Sequence, residues 1–368
     1  MKQARERVEP ITSVGDFYVP TFELAIGQRA APKDVVRDVM SVTYKDDVAN
    51  IDSFEIVINN WDSEARRFKY SDDKLFDPGT EVELRIGYFG QPQELMITGE
   101  ITSLRPSFPV GGQPTLSVSG LNVLHRFRGE QRSQTFVNKT DEQVAEFIAK
   151  ALKAPIDAPV KDGEAHPYLI QNNVYDIVFL LERARANDYQ LILNPTTGRL
   201  FFGPSQEQKR PAYELVYGRS LTEFQPNLTT ANQVGKVVVR GWDATKKKAI
   251  EYTATSADLV VAGLDPDLLA GIEKSYSERK EIVATRVVAT HDEARRVAVE
   301  TLQQIAKGLV TASGSTVGLP KLRAGSVLMI GGLGARFSGR YFVTDTTHTV
   351  GDSGYTTQFN CRREEVKG

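Results

Sequence analysis

The residues able to carry chemistry are few and lie far apart in the chain. The four histidines are His125, His166, His291 and His348, and the single cysteine is Cys361. A zinc site needs three or four such ligands, and local sites show themselves by paired spacing such as His-Glu-x-x-His. No histidine here has that neighbour, and Cys361 has no cysteine partner. His348 sits in the strand-like run Thr346-Thr-His-Thr349, where a hydrogen-bonded packing role is expected. Nucleophilic hydrolysis would call for a Gly-x-Ser-x-Gly elbow, which is absent, or for Ser-x-x-Lys with its companion motifs. Ser-x-x-Lys occurs at Ser71–Lys74 and Ser277–Lys280, but neither Ser-Asp-Asn nor Lys-Thr-Gly accompanies it, and so short a pattern arises easily by chance.

Paired carboxylates can serve as the acid and base of a glycoside hydrolase. The pairs Asp46-Asp47 and Asp72-Asp73 lie in polar, turn-like sequence and read as solvated loops. Gly331-Gly-Leu-Gly334 has the glycine density of a phosphate loop, yet Arg336-Phe-Ser-Gly339 and then a strand follow it. Without a helix there is no dipole to hold phosphate, so a hairpin loop is expected. Lys246-Lys-Lys248 reads as an exposed turn that could touch an acidic partner protein. The expectation is therefore no catalytic residue, no metal ligand and no cofactor site.

Composition narrows the remaining classes. At 368 residues the chain fits two or three domains. Its 40% hydrophobic and 25% charged residues are the balance of a globular protein with real cores. A net charge of −2 provides no bulk field for nucleic acid or for direct membrane binding. One cysteine allows no intrachain disulfide, which suits a reducing compartment. The polar N-terminus lacks a secretion signal, and apolar runs such as Ile177-Val-Phe-Leu-Leu181 fall short of the roughly 20 residues of a membrane span. Synthesis in the cytoplasm is expected, with any exit as part of an assembly.

The elements that must position these residues are mostly strands. Residues 1–17 read as an arm. Period-two alternation in Phe22–Ile26, Ser53–Ile58, Val82–Ile86, Leu95–Thr98 and Thr115–Ser119, punctuated by glycine turns, predicts a first β-barrel over 18–130. Thr140-Asp-Glu-Gln143 is a capping box that opens a helix ended by Pro155. A second helix carries Ile177, Leu180, Leu181 and Ala184, and a hairpin turns at Asn194–Gly198, so 131–212 reads as a small α/β subdomain. The region 213–368 returns to strands as a second β-barrel, with a helix inserted over 291–308 behind the capping box Thr290-His-Asp-Glu293. The fold class expected is mainly β with an α+β insertion.

The two β regions share an order of features. Gly79 opens a strand ending Ile86-Gly87, followed by a glycine loop, Leu95-Met-Ile-Thr98 and Thr115–Ser119. Gly325 opens a strand ending Ile330-Gly331, followed by a glycine loop, Tyr341-Phe-Val-Thr344 and Thr356–Phe359. A chain with two similar barrels, closed into a trimer, offers six roughly equivalent units.

With Phe76-Asp-Pro-Gly79, Ile97-Thr-Gly-Glu-Ile101, Gln171 with Asp176–Glu182, Val238–Asp243 and Gly334–Thr344 with His348, the sequence resembles the phage late-control D and baseplate-hub family. The N-terminal part of type VI secretion spike proteins is similar. The resemblance implies two tudor-like barrels, a homotrimer, no catalysis and no cofactor. It also implies partners: a trimeric spike protein as a separate chain, a tube-initiator or inner tube protein, and other baseplate proteins. The function implied is a structural hub joining a sixfold tube to a threefold spike, in a phage virion tail or an injection particle. Two rivals come from other classes. A tail-associated cell-wall hydrolase needs a clustered acid/base pair. A carbohydrate-binding adhesin needs an exposed aromatic platform, and Trp242 reads as buried in its strand.

Overall fold

Alternation becomes strand where one face can be buried, and burial follows the letters. In Ser53–Asn59, Phe54, Ile56 and Ile58 are buried and their neighbours half-buried. In Glu81–Tyr88 the same holds for Val82, Leu84 and Ile86. The computed structural model describes residues 19–160, 163, 165–187, 189–204, 211–243, 246–258, 279–283, 288 and 290–363. The expected arm over 1–17 and Ser277 of the second Ser-x-x-Lys lie outside the described residues.

Two-residue strands and short helical turns are left unlabelled. The first β region then holds β1 (Pro20–Ile26), β2 (Val39–Asp47), β3 (Ser53–Asn59), β4 (Glu81–Tyr88), β5 (Glu94–Ser107) and β6 (Thr115–Asn122). Next come β7 (Gln131–Phe136), α1 (Asp141–Ala151), β8 (Leu169–Tyr175), α2 (Asp176–Ala186), β9 (Tyr189–Leu193) and β10 (Leu200–Pro204). The last part holds β11 (Tyr213–Val216), β12 (Leu221–Leu228), β13 (Lys236–Asp243), β14 (Lys248–Thr255), β15 (Lys280–Val283), α3 (His291–Lys307), β16 (Val310–Val317), β17 (Val327–Gly331), β18 (Gly339–Gly351) and β19 (Gly354–Arg363).

The two β regions share one sheet, ordered β12-β16-β19-β18-β2-β3-β6-β5-β4-β1, with β11 beside β17. Within it the order β1-β4-β5-β6-β3-β2 is repeated as β11-β17-β18-β19-β16-β12. The repetition extends to single hydrogen bonds. Gly79 N donates to Ile101 O at 2.8 Å and Ile101 N to Thr80 O at 3.0 Å; Gly325 N donates to Val343 O and Val343 N to Ser326 O, both at 2.9 Å. The β5–β6 ladder skips a residue between Ile101 and Ser103, and the β18–β19 ladder does so between Val343 and Asp345. The β2–β3 and β12–β16 ladders also skip at matching rungs, Val39/Ser41 and Leu221/Glu223. One difference stands: β1 runs antiparallel to β4, whereas β11 runs parallel to β17.

These ladders correct the sequence alignment of the repeat. Ile101-Thr102 matches Val343-Thr344, so Leu95–Thr98 is displaced by four residues from the partner of Tyr341–Thr344. Likewise Ile330 matches Leu84 and not Ile86. The glycine turns and the pairing of Thr115 with Thr356 hold.

Apolar side chains gather into separate cores. The first β region packs around Phe54, Ile56, Leu84 and Met96, the second around Leu215, Leu328, Tyr341 and Phe359. Between them Val144, Ile148, Phe179 and Leu180 of α1 and α2 pack on Leu191 and Phe202 of the β9–β10 hairpin. The α1 capping box forms as its letters require. The helix α3 packs Val297, Ala298 and Leu302 on Val237, Val239 and Ile250 of its own three-stranded sheet, and its last turn at Ala306 reaches the second β core. In that sheet Trp242 is 56% exposed, against expectation. The core-facing phase of β13 is Val237 and Val239, and Trp242 lies one residue out of step on the other face.

Candidate functional site

The feature that joins the two β regions is the pairing of β2 with β18, from Ser41↔Gly351 to Asp47↔Asp345. Its core-facing side chains are the apolar pair Val42 and Val350 and, beside them, the polar set Tyr44 and Asp46 opposite His348 and Thr346. Asp46 of β2 is 6% exposed and sits in a strand, not in the solvated loop its neighbours suggested. It is held there because Arg323, from the Gly325 turn, donates Nε to Asp46 Oδ2 at 2.7 Å, and Ala324 N donates to the same oxygen at 3.2 Å. Thr346 of β18 donates its hydroxyl to Asp46 as well. The Arg323 guanidinium also bonds the Met96 carbonyl at 3.0 Å and the Tyr44 hydroxyl, and lies 4.6 Å from the Tyr44 ring centroid. One arginine thus touches β2, β5 and the second unit's turn. A buried carboxylate with this many charge-assisted donors is a structural clamp.

His348 completes the same layer. It is fully buried; its Nε2 faces the Leu322 carbonyl at 2.9 Å, so that nitrogen carries the proton. Nδ1 is left to accept from the Tyr355 hydroxyl at 2.8 Å. Burial, with the Arg323 charge nearby, pushes the imidazole pKa down to about 4. The expected packing role fits this geometry. Nearby, burial and the Asp46 charge push the Asp52 carboxyl up to about 7, against the hydrogen bond from Asn122 Nδ2 at 3.0 Å.

These two shifts oppose one another in stability. Asp52 holds a proton in the folded state that the unfolded chain has released, so its contribution falls as pH rises from about 4 to about 7. His348 refuses a proton that the unfolded chain accepts, so its contribution falls as pH drops from about 6.5 to about 4. Asp52→Asn removes the first slope only. Urea unfolding should then show a gain of about 1–3 kcal/mol near pH 8 and a stability that climbs with pH between about 4 and 6.5. A pH profile superimposable on the parent would refute the assignment.

A cavity of about 480 Å³ opens beside this network, lined among others by Asp52, Asn122, Gln190, Phe201 and Arg323. Its other acids are engaged: Asp46 with Arg323, Asp47 with Ala49 N and Asn50, Asp157 with Arg199 at 3.5 Å.

The other sequence candidates stay dispersed. His125 lies between Asn122 O at 2.9 Å and Glu100 at 3.0 Å. His166 Nε2 meets Asp141 Oδ2 at 2.8 Å, beside Arg183 and Asn187, which donate to the same carboxylate. Burial opposes ionisation there, but the His166 and Arg183 hydrogen bonds hold Asp141 below the usual carboxylate range, so it pins α1 to α2 and is no base. His291 stacks edge-on against Tyr252 at 5.5 Å. Among the described residues no three His, Cys, Asp or Glu side chains form a group able to hold a metal. Ser71 accepts from Asn60, and Lys74 opens a short helical turn that Asp73 caps. Gly334–Phe337 forms a four-residue helical turn where no helix was expected, but Gly331–Gly334 still lies in the β17–β18 hairpin connection. Lys246 and Lys247 lie in the turn before β14, which Lys248 opens, with Lys246 3.6 Å from Asp243. No helix among the described residues is long and apolar enough to cross a membrane. The Arg323–Asp46 clamp escaped sequence reading because its halves lie 277 positions apart. Only the matched glycine turns could have pointed to it.

Solved structures place this architecture. The 43 kDa tail protein of prophage MuSo2 from Shewanella oneidensis superposes with a TM-score of 0.72 at 15% identity, covering 94% of this chain and 98% of its own. A tail protein from Neisseria meningitidis MC58 gives 0.70 at 14% identity, covering 95% and 98%. The Escherichia coli c3393 protein, a component of the type VI secretion system, gives 0.55 at 10% identity, covering 94% and 78%. The fold is therefore one shared by prophage tail proteins and a type VI secretion component. No curated protein matches the sequence. The chain belongs to the Alg8 N-terminal domain family, whose profile matches residues 19–352.

Proposed function

We propose that the chain is a structural, non-enzymatic baseplate hub of a contractile phage tail or tail-like injection particle. Three copies form a ring that adapts a sixfold inner tube to a threefold spike. The observation that carries this is the internal repeat: one chain holds the same six-strand order twice, with matching turns and skipped rungs. Each repeat serves as one small tudor-like barrel, over 18–130 and 213–368, with 131–212 as the α/β subdomain between. Three such chains offer six near-equivalent faces on one side and true threefold symmetry on the other. The partners are a trimeric spike, a tube-initiator or inner tube protein, and other baseplate proteins. Nucleic acid, direct membrane contact and a cofactor have no part in this reading. The protein is made in the cytoplasm and works inside the assembled particle.

Obligate contacts of this kind bury more than about 2,000 Å² per interface. Native mass measurement of the chain co-expressed with its spike should give three copies per complex. A single copy in the assembled particle, or turnover of peptidoglycan by the purified protein, would sink the proposal. Exposed Trp242 invites the adhesin reading, but it faces Ala249 across the ladder, with Glu251 as its diagonal neighbour. Among the described residues no second ring packs beside Trp242 to complete a sugar platform, and a glycan-binding screen should be blank.

A further inference from the structure

Two of the strand edges left open among the described residues occupy matching places in the repeat. The β4–β5 ladder stops at Glu81↔Glu100, so residues 102–107 of β5 have β6 on one side and no strand on the other. In its repeat partner β18 the corresponding stretch, Asp345–Gly351, is covered by β2. The partner of β2 in the repeat is β12, which pairs with β16 and has no second ladder. The chain therefore contains one solved example of a junction and the two unmatched halves of another. Resting on the ring reading above, we propose that β5 of one copy pairs antiparallel with β12 of a partner copy, in the register that β18 and β2 use within a chain.

The register follows from the matched rungs. Leu104, Arg105 and Pro106 correspond to Thr346, Thr347 and His348, while Leu228, Asn227 and Pro226 correspond to Asp46, Lys45 and Tyr44. Thr346↔Asp46 and Thr347↔Lys45 become Leu104 against Leu228 of the partner copy and Arg105 against Asn227 of the partner copy. The chemistry agrees rung by rung. Apolar Leu meets Leu on the core-facing side, where Leu104 and Leu228 are each only partly buried at the margin of their own core. Arg105 meets Asn227 and Ser107 meets Gln225 of the partner copy on the polar side.

Two prolines make the register selective. Val48 N donates to Thr344 O at 3.0 Å, which sets Thr346↔Asp46 and His348↔Tyr44 as the hydrogen-bonded rungs of the template. Pro106 and Pro226 of the partner copy then share one such rung and forfeit it together. A two-residue slip would set each proline against a residue able to bond and spoil two rungs instead of one. Alone, the same prolines shield each open edge from indiscriminate strand addition.

Arg105↔Asn227 corresponds to the non-hydrogen-bonded rung Thr347↔Lys45, whose close Cα spacing suits a disulfide. Both residues are exposed, and the native Cys361 is buried with its thiol pushed up by that burial, so it stays inert. The full-length Arg105→Cys/Asn227→Cys variant, assembled with its spike and oxidised, should run as a thiol-reversible multi-chain band on a denaturing gel. Lys45→Cys/Thr347→Cys is the intrachain control and should link without added mass. Arg105→Cys/Gln225→Cys, two residues out of register, should link at least about tenfold less. In the unsubstituted protein the Leu104 and Leu228 amides should exchange at least about tenfold more slowly on assembly. A native three-copy complex with neither cross-link nor protection overturns the strand pairing and leaves the ring standing. Equal linking in both registers overturns the register, and a single-copy complex overturns the pairing together with the ring.

Discussion

Arg323→Met should lower the stability of the folded chain by about 3–5 kcal/mol near neutral pH, read as a shift of the urea unfolding midpoint at unchanged slope. The loss comes from what is left behind. Without the guanidinium, Asp46 keeps the Thr346 hydroxyl and Ala324 N but no cation, and the Asp52 carboxyl stands beside it. The Met96 carbonyl and the Tyr44 hydroxyl lose a donor in the same stroke. Arg323→Lys keeps the charge but not the planar fork, so it should recover only part of the loss. Arg323→Met/Asp46→Asn should be more stable than Arg323→Met alone, since the stranded charge is gone. A loss below about 1 kcal/mol would mean that strand pairing alone holds β2 to β18.

Gly120→Ala should cost about 3 kcal/mol although it adds a single methyl group. A Cβ at Gly120 would stand 2.3 Å from Glu100 O and 2.4 Å from the Phe54 ring. The first is backbone in the neighbouring strand and cannot move aside. Phe54 lies opposite Gly120 in the β3–β6 ladder and fills the space a side chain would take. The second unit solves the same rung differently, with Ala312 opposite Cys361. Transplanting that solution gives the test. Phe54→Ala alone should cost about 3–5 kcal/mol through the cavity it leaves. The double variant Gly120→Cys/Phe54→Ala should cost less than the sum of the Phe54→Ala and Gly120→Cys losses by more than about 1 kcal/mol. Additive losses would show that the two positions do not trade volume.

That exchange explains how much of the fold was legible in the sequence. Backbone requirements were visible: Gly79 and Gly325, at φ of 90° and 82°, need glycine, and each unit keeps one at the same turn. Thr140 with Gln143 announced α1 from four letters. Core volume was not visible, because the units swap it between partners. Val42, Ile56 and Val118 in the first unit become Phe224, Gly314 and Phe359 in the second. Strand β2 was passed over because its core-facing residues include Tyr44 and Asp46, so polar letters occupy an inward position. The junction depends on a carboxylate that reads as surface until its distant arginine is placed. Trp242 failed for the opposite reason, as an apolar letter in a strand whose buried phase belongs to the valines.

The Thr346–Asp46 contact spans 300 positions, and that number has a meaning for biosynthesis. At roughly 5–20 residues per second, β2 leaves the ribosome about 15–60 s before β18 can reach it. Through that interval the first unit can settle its core apart from Val350 and Tyr355, but the outer edge of β2 has no strand to receive. The clamp that buries Asp46 arrives with the same late segment, so the carboxylate remains in water until the match is made. Release of the finished C-terminal part is thus what joins the halves, and a chain cut short before Arg323 would keep the edge of β2 open.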